Sequence, residues 1–178
     1  MVLRNKKQNI RKSKGSDKSH KIQSNKSKNI SAKGYQWIIL FLLLIFLDRL
    51  SKYWAMNMTK EVNMGFFSLV YATNTGAGFS VFQNSNTLLI WIAVIALGAM
   101  IYYNEYFPRS GFLLIITGLV GNLLDRIFYG YVIDFINFRF WPIFNLSDSM
   151  ITIGAIITII VWIRQESKKD SQKKRLKT

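Results

Sequence analysis

The chain has 178 residues, half of them hydrophobic, with 13 Phe, 8 Tyr and 5 Trp, and its formal net charge is +15. It contains no cysteine and one histidine, His20, which excludes disulfides, thiolate metal sites and a cysteine nucleophile. The basic excess lies in the ends. Residues 1–34 hold eleven Lys/Arg against Asp17, residues 164–178 hold seven against Glu166 and Asp170, and residues 35–163 balance six against six. Such a distribution describes a neutral body with two basic tails, and no nucleic-acid partner is expected for it.

Residues 1–34 are too rich in Lys, Ser, Asn and Gln to build a core, and they are expected to form a basic disordered tail. Their length is wrong for the short basic region of a cleavable signal peptide. Four apolar stretches follow, at 35–54, 87–103, 111–128 and 149–163. Each approaches the roughly 20 residues that cross a bilayer as helix, which predicts four transmembrane helices. Basic flanks are retained in the cytoplasm. Both termini, 1–34 and 164–178, are therefore expected there, and two ends on one side require an even number of crossings.

The first stretch shows no polar face over 37–47 and then turns charged at Asp48, Arg49 and Lys52. Asp48 and Lys52 are four apart, a spacing that pairs them on one helical face. An interfacial salt bridge with Tyr53 and Trp54 as an aromatic anchor is the alternative. In the first external loop, 55–86, residues 66–72 and 79–82 are rich in strand formers, and a turn with Gly76 and Gly78 lies between them. This predicts a small antiparallel sheet on the extracytoplasmic side, between helices 1 and 2. A short linker with Pro108 makes helices 2 and 3 neighbours. Gly111, Gly118 and Gly121 then allow close helix approach in lipid.

Asp48, Lys52, Asn74, Asn122, Asp125, Arg126, Asp134, Asn145 and Asp148 all map to the outer ends of these segments. Ionisable groups at membrane depth are costly and mark function. With His20 in a tail no Ser-His-Asp triad is available, and no H-E-x-x-H metal motif occurs. Ser51 and Lys52 are adjacent and do not face each other on a helix. Two carboxyls, Asp134 and Asp148, remain as an acid and base that share one proton and hydrolyse an amide through water. Simpler roles stay open for each: Asp148 as a helix N-cap, Asp134 as a partner of Arg139, and Asp125-Arg126 as a helix-end pair. A lipid or peptide carrier and a small proton-coupled transporter are competing classes. A transporter, however, would spread its carboxylates through the membrane depth.

The blocks Asp48-Arg49-Leu50-Ser51-Lys52, Asn74-Thr75-Gly76-Ala77-Gly78-Phe79-Ser80, Gly121-Asn122-Leu123-Leu124-Asp125-Arg126, Tyr131-Val132-Ile133-Asp134-Phe135 and Phe144-Asn145-Leu146-Ser147-Asp148-Ser149 occur in the order of a known family. In these blocks the chain resembles lipoprotein signal peptidase, the bacterial type II signal peptidase, over about residues 35–163. The resemblance implies an aspartic endopeptidase of the bacterial cytoplasmic membrane, active near its outer face. It implies cleavage of diacylglyceryl-modified prolipoproteins before the lipidated cysteine, no cofactor or metal, membrane lipid as surroundings, and inhibition by globomycin-type cyclic peptides. It makes Asp134 and Asp148 catalytic, Asn74, Gly76, Asn122, Arg126 and Asn145 substrate-binding, and Asp48, Lys52 and Asp125 supporting. For Asp125 the neighbouring Arg126 suggests an ion-paired role. Three positions depart from the family pattern: Arg49 replaces an uncharged amide, Gly78 an alanine, and Ser147 an alanine whose replacement brings a hydroxyl within reach of the Asp148 carboxyl.

Overall fold

A computed structural model of the chain describes residues 34–76 and 85–175. The expectations for the N-terminal tail, for His20 and for a strand at 79–82 lie outside these residues. The chain divides into two compact units, Met1–Leu40 and Phe41–Thr178; of the first, 34–40 are helical. Helix α1 occupies 34–56. After it come strands β1 (Val62–Asn63) and β2 (Ser68–Asn74), helix α2 (Asn86–Tyr102), a single 3₁₀ turn (Asn104–Tyr106), helix α3 (Arg109–Tyr129), strand β3 (Val132–Asn137) and helix α4 (Leu146–Arg175).

Side chains are distributed inside out relative to a water-soluble protein. The largest fully buried ones among the described residues are Lys52, Ile133, Val132, Asn145, Thr117, Asp48, Asp125, Ser68 and Ser147, seven of which are polar or charged. Ile92, Ile95, Trp91, Ile127, Ile153 and Ile160 lie on the outside. That pattern suits helices bathed in hydrocarbon, where polar groups seek one another inside. Of the described helices, α3 and Leu146–Lys173 of α4 are long and apolar enough to cross a membrane, with mean hydropathy 1.6 and 2.0; α2 is a shorter apolar helix.

Lipid gives helices no hydrophobic reason to associate, so close packing of small residues takes over. Helix α3 packs most extensively on α4. A Cβ added at Gly118 would run into the Ser147 carbonyl, and one at Gly121 into the Ser147 hydroxyl. One at Gly111 would meet Thr158 Oγ1 and one at Gly154 would stand 2.9 Å from the Gly111 carbonyl, which adds a glycine of α4 to the expected three of α3. Buried Thr117 and Thr158 satisfy their hydroxyls on the carbonyls of Leu113 and Gly154, at 2.6 and 2.8 Å. Gly130, with φ 81°, ends α3 in the left-handed conformation and turns the chain into β3.

The sheet differs from the expected hairpin. Its order is β1-β2-β3, both pairings antiparallel, so two strands come from the α1–α2 connection and the third from the α3–α4 connection. Strand β3 is buried on both faces along Val132 to Phe135. Its sequence lacks the polar alternation that marks a half-exposed strand, which is why it reads as a mere apolar motif. Helix α4 runs through Arg175, beyond the apolar stretch that ends at 163. Residues 164–175 contain no Gly or Pro, and Lys169 pairs with Glu166 at 3.6 Å one turn away.

Substituting Gly118→Val should force α3 off α4 and cost about 1–3 kcal/mol of stability. The check is a thermal melt in detergent, in which Gly98→Ala serves as the control because nothing lies within 4 Å of its added Cβ.

Candidate active site

Strand geometry places the first carboxyl. Ala72 pairs with Asp134 and Asn74 with Val132, so Asn74 and Asp134 are diagonal neighbours on one face of the sheet. Asn74 Nδ2 donates to Asp134 Oδ2 at 3.0 Å. Asn74 also accepts the Gly76 N–H at 3.0 Å, which turns the backbone beyond β2. Asp134 itself is 2% exposed. It does not pair with Arg139, which lies on an exposed turn with φ 65°.

Helix capping places the second. Asn145 precedes α4 and its Oδ1 accepts the Asp148 N–H at 2.9 Å, while Asp148 Oδ2 accepts the Asn145 N–H at 3.2 Å. This reciprocal pair is a capping box. The N-cap is therefore Asn145, and Asp148 stands three residues into the helix instead of capping it. Asn145 is fully buried, and its Nδ2 donates to Asp134 Oδ1 at 2.7 Å and to Asn122 Oδ1 at 3.1 Å. Asn122 Nδ2 donates in turn to Asp148 Oδ1 at 2.7 Å. One asparagine thus bonds both carboxyls. An antiparallel bridge between Ile136 and Phe144 holds β3 against the residue before Asn145, fixing the two carriers together.

Beneath this pair lies a layer of buried charge. Lys52 Nζ contacts Asp125 Oδ2 at 2.7 Å, Asp48 Oδ2 at 3.2 Å, Asn122 Oδ1 at 3.1 Å and Ser147 Oγ at 3.4 Å. The Asp48–Lys52 pair follows from their helical spacing. Asp125, by contrast, takes its cations from Lys52 and Arg49, the latter at 2.6 Å, and not from Arg126. Successive helical residues point about 100° apart, so Arg126 turns to another face, where it donates to the Gly76 carbonyl at 3.2 Å. Ser147 also departs from expectation. Its hydroxyl donates to Asp48 Oδ1 at 2.6 Å, away from the Asp148 carboxyl.

Above the carboxyls opens a cleft of about 680 Å³. Asn74, Gly76, Asn122, Arg126, Asp134 and Asp148 line it, with Trp141 and Phe144 forming an apolar wall that residue-type reasoning had not assigned. Asn145, Asp48, Lys52 and Asp125 are buried outside this lining. Among the described residues no three His, Cys, Asp or Glu side chains converge as a metal site.

Burial pushes Asp134 up from the ordinary 3.8 to about 7, and the neighbouring Asp148 carboxyl raises it further; the amides of Asn74 and Asn145 and the charge of Lys52 oppose this. The proton on Asp134 is therefore retained until close to neutrality.

Apolar helix exteriors around a polar interior and an acidic cleft define a helical membrane protein. A family model described as signal peptidase (SPase) II matches residues 40–164. The chain belongs to this family. It is 37% identical over 152 residues to a protein named lipoprotein signal peptidase from Clostridium tetani (strain Massachusetts / E88), covering 75% of this chain and 96% of that one. A protein of the same name from Clostridioides difficile (strain 630) is 36% identical over 144 residues, covering 74% and 97%. The fold is similar to a solved bacterial membrane enzyme, determined by the in meso method at 2.3 Å, with a TM-score of 0.68 and 29% identity over 75% of this chain and 91% of that one.

A carboxyl with a folded value above its unfolded one is protonated longer in the folded state, so it removes stability as pH climbs from about 4 to about 7. Asp134→Asn should flatten the fall in melting temperature across that window and leave the variant more stable than the wild type at pH 8. Melts at half-unit pH intervals check this.

Proposed function

We propose that the chain is a membrane aspartic endopeptidase that removes signal peptides from diacylglyceryl-modified prolipoproteins, cutting before the lipidated cysteine. The observation that carries the reading is one asparagine, Asn145, bonded to both Asp134 and Asp148 at the floor of a cleft. Asp134 holds the shared proton near neutral pH and donates it to the scissile carbonyl. Asp148 stands at the N-terminal end of α4, where the peptide dipoles favour negative charge, and takes a proton from the attacking water. The tetrahedral intermediate then collapses with expulsion of the amine, which recovers a proton from the dyad. No covalent enzyme adduct forms.

Substrate contacts fall to Asn74, Gly76, Asn122 and Arg126 in the cleft, with Asn145 holding the carboxyls from below. Asp48, Lys52 and Asp125 act as support. The apolar wall of Trp141 and Phe144 suits a lipid-modified peptide more than a polar one. The same cleft is the proposed seat of a globomycin-type inhibitor. Four crossings of the bacterial cytoplasmic membrane, with both basic ends in the cytoplasm and the sheet and cleft at the outer face, fit the apolar exteriors of the helices and the sign of the flanks. The peptidase domain is placed at 35–163, between tails at 1–34 and 164–178.

Asp134→Asn and Asp148→Asn should each lower processing of a lipidated precursor by about 100-fold or more, with the protein still folded. Asp125→Asn should leave residual turnover. A gel-shift assay on purified enzyme reads both, and retained cleavage in either dyad variant would sink the mechanism.

A further inference from the structure

Arg49 looks at first like a bystander, because it occupies the position next to Asp48 and its side chain is 29% exposed. Its guanidinium nevertheless reaches across the bundle. Nη1 donates to Asp125 Oδ1 at 2.6 Å, and Nη2 donates to Asp48 Oδ2 at 2.6 Å and to the Gly121 carbonyl at 2.7 Å. One fork therefore grips both buried carboxylates and the backbone of α3, a geometry that guanidinium offers and ammonium does not.

We propose that Arg49 is a positioning residue for the Asp134–Asp148 pair, acting through Asp125 and Lys52. The inference rests on the peptidase reading above. With Oδ1 of Asp125 held by Arg49, Oδ2 is left to bind Lys52 at 2.7 Å and the Ile133 N–H at 3.3 Å. Ile133 immediately precedes Asp134, so this amide ties the strand that carries the first carboxyl to α3. Lys52 continues to Asn122 at 3.1 Å, and Asn122 to Asp148 at 2.7 Å. Two short relays thus leave the Arg49–Asp125 contact, one ending on the backbone beside Asp134 and the other on the Asp148 carboxyl.

Charge balance gives the same answer. Asp48 and Asp125 are both 0% exposed, and Lys52 is 1% exposed. Two buried carboxylates against one ammonium leave an uncompensated charge, which is strongly unfavourable away from water. Arg49 makes the layer neutral. Without it, Lys52 is drawn fully onto the carboxylates and off Asn122, and the excess negative charge acts on Asp134. The charged groups acting on Asp134 are Asp148 from α4, Lys52 from α1 and Arg126 from α3, while Asp125 of α3 holds the Ile133 amide next to it and the neutral amides of Asn74 and Asn145 complete the ring. Lys52 is among those that stabilise the ionised form, so weakening its field shifts deprotonation to higher pH.

The test uses the full chain in lipid or detergent with a lipidated precursor, comparing wild type, Arg49→Gln, Arg49→Lys and the double variant Arg49→Gln/Asp48→Asn between pH 5.5 and 9. Arg49→Gln should lower kcat about tenfold with KM within about twofold, and should move the alkaline limb up by roughly half a pH unit. Arg49→Lys should return the limb to its wild-type place while recovering only part of kcat. The double variant, neutral again, should also restore the limb and the melting temperature lost in the single one. A wild-type kcat and limb in Arg49→Gln overturns the proposal. So does a change in KM alone, or an equal deficit in all three variants. Infrared titration of the Asp134 carboxyl reads the same shift without turnover. Cleavage that survives Asp134→Asn or Asp148→Asn defeats the peptidase mechanism instead, whatever Arg49 does.

Discussion

Lys52 is the point where α1, α3 and the start of α4 are joined through one nitrogen. Its ammonium reaches Asp48, Asp125, Asn122 and Ser147 within 3.4 Å, from a side chain that is almost wholly buried. Removing one partner from such a cluster leaves a charge stranded in low dielectric, at a cost of about 3–5 kcal/mol. Neither the cation nor its carboxylates can be buried alone, so they go in together and fix the three helices in one arrangement. Apolar contacts could not do this, because the helix exteriors are as apolar as the lipid around them. The glycines of α3 and α4 bring the backbones close enough for the polar layer to form, and the layer then selects the register.

Much of the site was legible because membrane helices make their polar residues conspicuous. Asp48, Lys52, Asn122, Asp125, Asp134, Asn145 and Asp148 stand out from their surroundings, and i, i+4 spacing identified one pair directly. What the sequence hid was direction. Asp125 beside Arg126 reads as a pair, yet helical geometry sends the two side chains to different faces, and the partners come from α1 across the bundle. Arg49 was visible only as a departure from a family pattern. Counting charges points to it: Asp48 and Asp125 bring two negative charges to that depth and Lys52 one positive.

The third strand was missed for a related reason. Val132 to Phe135 is buried on both sides, so the alternation that betrays a surface strand is absent, and the strand pairs with β2 across some 60 residues of intervening chain. The capping box was within reach, since Asn145-Leu146-Ser147-Asp148 carries an N-cap residue followed three positions later by a carboxylate. The alternative role of Asp148 as the cap itself treats the pattern as a single residue when it is a reciprocal pair.

That pair explains how two carboxyls come to be held by rigid structure instead of by loops. The hydrogen bonds that begin α4 are the ones that orient Asp148, so the helix cannot start without placing it. The side chain that caps α4 also reaches Asp134, on a strand whose own pairing with β2 brings Asn74 alongside. Each carboxyl is thus fixed by an element that the fold requires for other reasons, and Asn145 is bonded to both. The cleft wall of Trp141 and Phe144 is different, being carried on the connection between β3 and α4. The two carboxyls thus sit on a helix start and a strand, with an apolar wall on the link between those elements. The wall can change without moving the carboxyls, which stay where the backbone puts them.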